Sequence, residues 1–196
     1  MTLGLATCDE DGIYLAIESQ GLPTAGSLST HQAALLINSK ILELQSEPEI
    51  VALVAGGLEH WLYVATKYSK QSCVTAAAHE VVSLLNSCMC PHNQAFGIIC
   101  GYSDGVAKCY RVNREQHVSK TELLEDVSLK EVQCLGFHEY AKLAKDDASN
   151  AINNKIPPLL ALIDAIQRQF PKPNIRPPIH VLIIRPKQRI ACGPNV

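Results

Sequence analysis

The chain has 196 residues, 47% of them hydrophobic, with a formal net charge of −2 and a pI near 6.4. That length can bury one well-formed core or two small ones, and that charge leaves no electrostatic footprint for nucleic acid or an anionic membrane. Eleven glycines and eleven prolines exclude collagen-like and disordered classes, and no apolar run is long enough to span a bilayer as a helix.

The first elements predicted are two short apolar strands, residues 3–8 and 12–18. The acidic stretch Asp9-Glu10-Asp11-Gly12 joins them as a hairpin turn, with glycine expected to supply it. A mixed connection follows from Gly21 to Ser39, whose HQAALLIN segment suits either a helical turn or the start of a longer strand. A second strand pair is expected at Lys40–Leu44 and Ile50–Ala55, broken by the polar run Gln45–Glu49. Gly56-Gly57 ends that pair and opens a helical pattern, LEHWLYVATKY, with Leu58, Trp61, Leu62 and Ala65 on one face. Ser72 is placed to cap a second helix, CVTAAAHEVVSLLN.

Strands are then expected near Phe96–Gly101 and Val106–Val112, joined by Tyr102-Ser103-Asp104-Gly105, with a short one near Glu131–Leu135. Two helices follow, about Phe137–Asn150 and Pro158–Gln169, the second with proline in its first turn. After the loop PKPNIRPP, the runs IHVLII and RIAC close the chain as a strand pair. Runs of strands alternating with pairs of helices predict an α+β protein. Ten or so strands need two sheets, so the expected architecture is a four-layer αββα sandwich. Its sheets are mostly antiparallel, each covered by a helix pair. No repeat or linker divides the sequence, so residues 1–196 read as a single domain.

The N-terminal segment has no basic leader, and Asp9, Glu10 and Asp11 arrive early, so it does not read as a signal peptide. Eight cysteines are many for this length. Cys8, Cys100, Cys109 and Cys134 fall in apolar strand-like runs, where a thiol acts as a small hydrophobe. Reduced cysteines and a cytoplasmic location are therefore expected.

Four stretches in this order resemble the proteasome-type β subunits of the N-terminal-nucleophile hydrolases. TLGLA followed by DGIYLAIES resembles the family's opening hairpin, and LVAGG its strand-to-helix turn. AFGIICGYSDG resembles the strand in the middle of the family's chain, and the two long helices with final strands match its closing pattern. The extra N-terminal helix of the family's α subunits has no counterpart ahead of the hairpin, so the β type is the better match. The resemblance implies the αββα fold, peptide-bond hydrolysis, stacked homo-oligomeric rings and a possible ATPase partner.

The resemblance also implies a site. Thr2 matches the family's N-terminal nucleophile, which removal of Met1 would expose. A hydroxyl needs a base beside it, and an α-amine with a pKa of about 7.7–8.0 is such a base near neutral pH. With threonine first in the chain, one residue supplies both. Glu18 falls, without a gap, on the family's acidic position, where aspartate is usual. For the family's lysine, an ungapped count gives Leu36, whereas a short insertion brings in Lys40. Lys40 is preferred because SKILEL resembles lysine followed by alternating apolar residues. Gly56 matches the glycine whose N–H stabilises the oxyanion, a donor worth about 3–4 kcal/mol of barrier. Read without the family, each has an ordinary alternative. Threonine is common after Met1, strand-end acids and strand-face lysines are usually solvated, and tight turns need glycine anyway.

Two stretches depart from the family pattern. CLGFHEY has Gly136 but no serine where a serine-rich glycine turn is usual. QFPKPNIRPPIH lacks the aspartate and serine that hold the terminal amine. These departures motivate an alternative, a catalytically silent ring-forming scaffold or binding protein. No cofactor is expected. Cys88, Cys90 and His92, with His79, do not have zinc-knuckle spacing, so no metal site is expected either. The remaining histidines have no paired spacing, and no phosphate-binding loop or G-x-S-x-G elbow is present. The expected partners are a polypeptide substrate and further copies of the chain, with neither nucleic acid nor membrane.

Overall fold

The opening residues form β1 (Leu3–Cys8) and β2 (Ile13–Glu18), paired antiparallel with Gly4 opposite Ile17 and Cys8 opposite Ile13. The structure, a computed structural model, describes residues 2–18, 40–88, 94–114, 122–136, 138–170, 178–185 and 189–195. The remaining elements are β3 (Ile41–Ser46), β4 (Glu49–Gly56), α1 (Leu58–Lys67), α2 (Val74–Ser87), β5 (Ala95–Ser103), β6 (Val106–Arg114), β7 (Glu122–Asp126), β8 (Gln133–Gly136), α3 (His138–Asn153), α4 (Pro158–Gln167), β9 (Ile179–Ile184) and β10 (Arg189–Asn195). The expected α+β class is the observed one, with two antiparallel five-stranded sheets and two pairs of helices. The chain divides into two compact units, residues 1–20 with 128–196 and residues 21–127.

The first unit holds the sheet β10-β9-β2-β1-β8 and the helices α3 and α4. Alternate residues of its strands, Leu3 and Leu5, Tyr14 and Ala16, Ile179, Val181 and Ile183, join one buried cluster with the helices. Ala141, Ala144 and Ala148 of α3 enter that cluster at helical spacing, and their small side chains let the helix lie close on the sheet. The intervening strand residues Ala6, Ile13, Leu15 and Ile17 are buried too, which is why the sequence shows continuous apolar runs here. Gly12 closes the β1–β2 turn as expected, since a Cβ there would stand 2.8 Å from the Ile184 carbonyl oxygen, and Asp9 braces it. One Asp9 carboxylate oxygen accepts N–H bonds from Asp11 and Gly12 and the hydroxyl of Tyr14, at 2.8, 3.2 and 3.0 Å.

The second unit holds the sheet β3-β4-β5-β6-β7 with α1 and α2. Its cluster joins Ile50, Ala52 and Val54 to Trp61, Val64, Ala77, Ala78, Val81 and Leu85. Two expectations are corrected here. Cys73 rather than Ser72 caps α2, its backbone extended and its sulfur accepting from Ala76 N–H at 3.5 Å. The short edge strand β7 was not expected, because its ELLED sequence has little strand propensity.

Candidate active site

In the first unit the site is built where β1 begins. Thr2 precedes Leu3, which lies opposite Gly136 of β8. Gly136 has φ +142°, and a Cβ there would stand 2.2 Å from the Thr2 carbonyl oxygen. Only glycine allows β8 to end that close to Thr2. On the other side of β1, the Leu3 N–H donates to Glu18 Oε1 at 3.2 Å. Glu18 ends β2 and is 0% exposed. The carboxylate thus takes the backbone donor one residue from Thr2. The solvated strand-end acid of the ordinary reading is therefore not what forms. A buried carboxylate is costly unless donors meet it, and the side chain's extra methylene over aspartate gives it the length to reach along the ladder.

In the second unit, Lys40 immediately precedes β3, and its carbonyl accepts the Val54 N–H at 3.0 Å. Lys40 is only 3% exposed, not the solvated strand-face lysine of the ordinary reading. Its φ of 52° is a left-handed conformation that a side-chain-bearing residue adopts at a cost. Leu36, the other lysine-position candidate, lies outside the described residues, as does the HQAALLIN segment.

Gly56 ends β4, two residues beyond the Val54 partner of Lys40, so both lie at one end of this sheet. Gly56 has φ +87°, and a Cβ would sit 2.0 Å from the Gln94 carbonyl oxygen. That carbonyl accepts the N–H of Gly57, which caps α1. The indole N–H of Trp61 donates to the Ala55 carbonyl at 2.9 Å and ties α1 back to the end of β4. Gln94 and Trp61 escaped the sequence reading as parts of this turn.

Each unit therefore brings together two of the four expected residues: Thr2 with Glu18, and Lys40 with Gly56. Among the described residues, Cys8, Cys73, Cys88, Cys100, Cys109 and Cys134 form no disulfide. Of the C-M-C-P-H stretch, only Cys88 is described. No group of three or more potential metal ligands occurs among the described residues. Likewise, no described helix is long and apolar enough to cross a membrane.

No family model and no curated protein matches the chain. Among solved structures it is similar to a Gly-1 mutant of Anbu from Hyphomicrobium sp. strain MC1. The two are 14% identical with a TM-score of 0.62, over 97% of this chain and 87% of that one. That likeness establishes the fold: the chain has the proteasome-like α+β fold also found in Anbu.

Proposed function

We propose that the chain is a proteasome-type threonine hydrolase subunit that cleaves peptide bonds. The observation that carries this reading is Glu18: a fully buried carboxylate bonded to the Leu3 N–H, one residue from Thr2. Burying a carboxylate costs desolvation that an apolar residue would avoid, and here the acid spends it beside the Thr2 position. A site chemistry needing negative charge beside the Thr2 position explains it.

In this reading removal of Met1 frees the Thr2 amine. The amine takes the proton of Oγ1, and Oγ1 attacks the scissile carbonyl carbon. A tetrahedral intermediate forms, and stabilising its negative oxygen is the role that the family resemblance implies for the Gly56 N–H. It collapses to an ester on Thr2 as the leaving amine takes the proton, and water then hydrolyses the ester. Glu18 sets the electrostatics of the amine and hydroxyl, a role that the family resemblance implies for Lys40 as well. The proposal treats residues 1–196 as one proteasome-like domain that self-associates into rings in the cytoplasm, with a separate ATPase as a possible feeder.

A second reading, a silent ring-forming scaffold, is favoured by the serine-free CLGFHEY stretch around Gly136 and by the missing aspartate and serine near the last strands. Turnover separates the two. Wild-type protein shown by intact mass to lack Met1 is expected to hydrolyse fluorogenic peptides, and Thr2→Ala to abolish it. Absence of hydrolysis with Met1 removed would favour the scaffold.

A further inference from the structure

Arg114, the last residue of β6, is 8% exposed and does not reach solvent as a strand-end arginine normally does. Its Nη1 donates to the Leu85 carbonyl at 2.6 Å and meets His60 Nδ1 at 3.0 Å. The Cys88 carbonyl lies 3.4 Å from both Nη1 and Nη2. A guanidinium has only donors, so His60 Nδ1 accepts, and the imidazole proton sits on Nε2. Leu85 and Cys88 belong to the C-terminal end of α2, whose unpaired carbonyls and dipole favour a cation. His60 is 0% exposed and lies in the first turn of α1, three residues after Gly57.

The backbone of Arg114 points to the same turn. Gly56 of β4 pairs with Ala95 of β5, and Ala95 pairs with Arg114 of β6, so the three form one row across the sheet. Gln94, whose carbonyl holds the Gly57 N–H, immediately precedes Ala95. Arg114 thus grips the glycine turn from both sides. Through its backbone it fixes the strand row from which Gly56 emerges. Through its side chain it fixes the helix turn into which Gly57 leads, and it anchors the end of α2 as well. A planar fork with several donors can do this, whereas an ammonium cannot.

We propose that Arg114, acting through His60, is the positioning residue that holds the Gly56–Gly57 turn in its donor geometry. Its catalytic consequence rests on the hydrolase reading above; its structural core does not. A donor displaced by about 1 Å costs on the order of 10²-fold in turnover, while substrate affinity set elsewhere is unchanged. The effect therefore belongs in kcat and not in KM.

The test uses Arg114→Lys, His60→Leu and His60→Asn, the last retaining an acceptor oxygen where Nδ1 stood. It measures peptide hydrolysis and amide hydrogen exchange at Gly57 by NMR. Arg114→Lys and His60→Leu are expected to speed Gly57 exchange at least about tenfold relative to the rest of β4–β6, and to lower kcat about 10²-fold with KM within about twofold. His60→Asn is expected to restore most of both. Unchanged Gly57 exchange in both disruptive variants, or exchange that rises uniformly over the sheet, would overturn the proposal. If His60→Leu alone folds, its comparison with His60→Asn decides the matter. If wild-type protein lacks hydrolysis, the hydrolase reading falls and the exchange data still decide what Arg114 does. If wild-type hydrolyses but the variants keep its kcat, the positioning role falls alone.

Discussion

Glu18 accepts a backbone donor, the Leu3 N–H, in a fully buried setting. Two consequences separate its structural from its chemical part. Glu18→Ala removes the acceptor and leaves the Leu3 N–H buried and unpaired, so it is expected to lower unfolding free energy by about 1–3 kcal/mol in urea titrations. Glu18→Gln keeps an oxygen for that N–H but loses the charge. Its stability is expected to stay near wild type while peptide hydrolysis falls at least about tenfold, the equivalent of about one pKa unit of electrostatic support. Equal activity in Glu18→Gln and wild type would remove the carboxylate from the proposed site. The sequence singled out this acid only by its register with Thr2 in the family resemblance, and gave no sign of its burial. Nothing local to residue 18 shows that the Leu3 N–H points at it. Lys40 is similar: an isolated lysine before an apolar strand reads as solvated, and its 3% exposure follows only from the assembled fold.

At the scale of elements, the β4–α1 junction is where strand, helix and candidate oxyanion donor meet. Trp61 is 1% exposed, and its indole N–H to Ala55 closes that junction. Trp61→Phe keeps most of the apolar contact but strands a carbonyl. It is expected to cost about 1–3 kcal/mol in denaturant melts and to lower kcat more than it raises KM. A loss confined to stability would make the indole bond purely structural. The elements themselves were legible wherever apolar periodicity was strong: the opening hairpin, the Asp104-Gly105 hairpin between β5 and β6, the alanine-rich helices and the Pro158 helix start. Where a signal was ambiguous, tertiary context decided. Ser72 has the usual cap chemistry, but the extended backbone falls at Cys73, so the sulfur caps α2 instead. The ELLED strand, acid-flanked and bulged against β6, is made by pairing rather than by propensity. Arg114 and His60 lie 54 residues apart, so no local pattern could join them.

For the whole molecule, two tyrosines set an alkaline limit on stability. Tyr14 is pushed from the ordinary 10 to about 12, by burial first and then by its hydrogen bond to Asp9 and the nearby acidic charges. Tyr68 rises to about 12 as well, mainly by burial and then by Glu80 and Cys73. A folded-state pKa above the unfolded one contributes stability that is complete below about pH 10 and lost as pH rises toward 12. Urea midpoints should therefore fall between those pH values, and the fall should be shallower in Tyr14→Phe. An identical slope in that variant would contradict this origin. The fold class was legible because strand runs alternate with helix pairs along the chain. The proposed chemistry rests on the order of four short stretches, since no residue of the proposed site carries a motif of its own.

The central claim is that Thr2 is the nucleophile, and covalent capture tests it most directly. Protein treated with a threonine-directed peptide epoxyketone is digested and read by mass spectrometry. The account predicts one adduct, on Thr2 of chains that have lost Met1, and none on Thr2→Ala. Chains without Met1 that hydrolyse peptide but carry no adduct at Thr2, or a Thr2→Ala variant with undiminished hydrolysis, would contradict it.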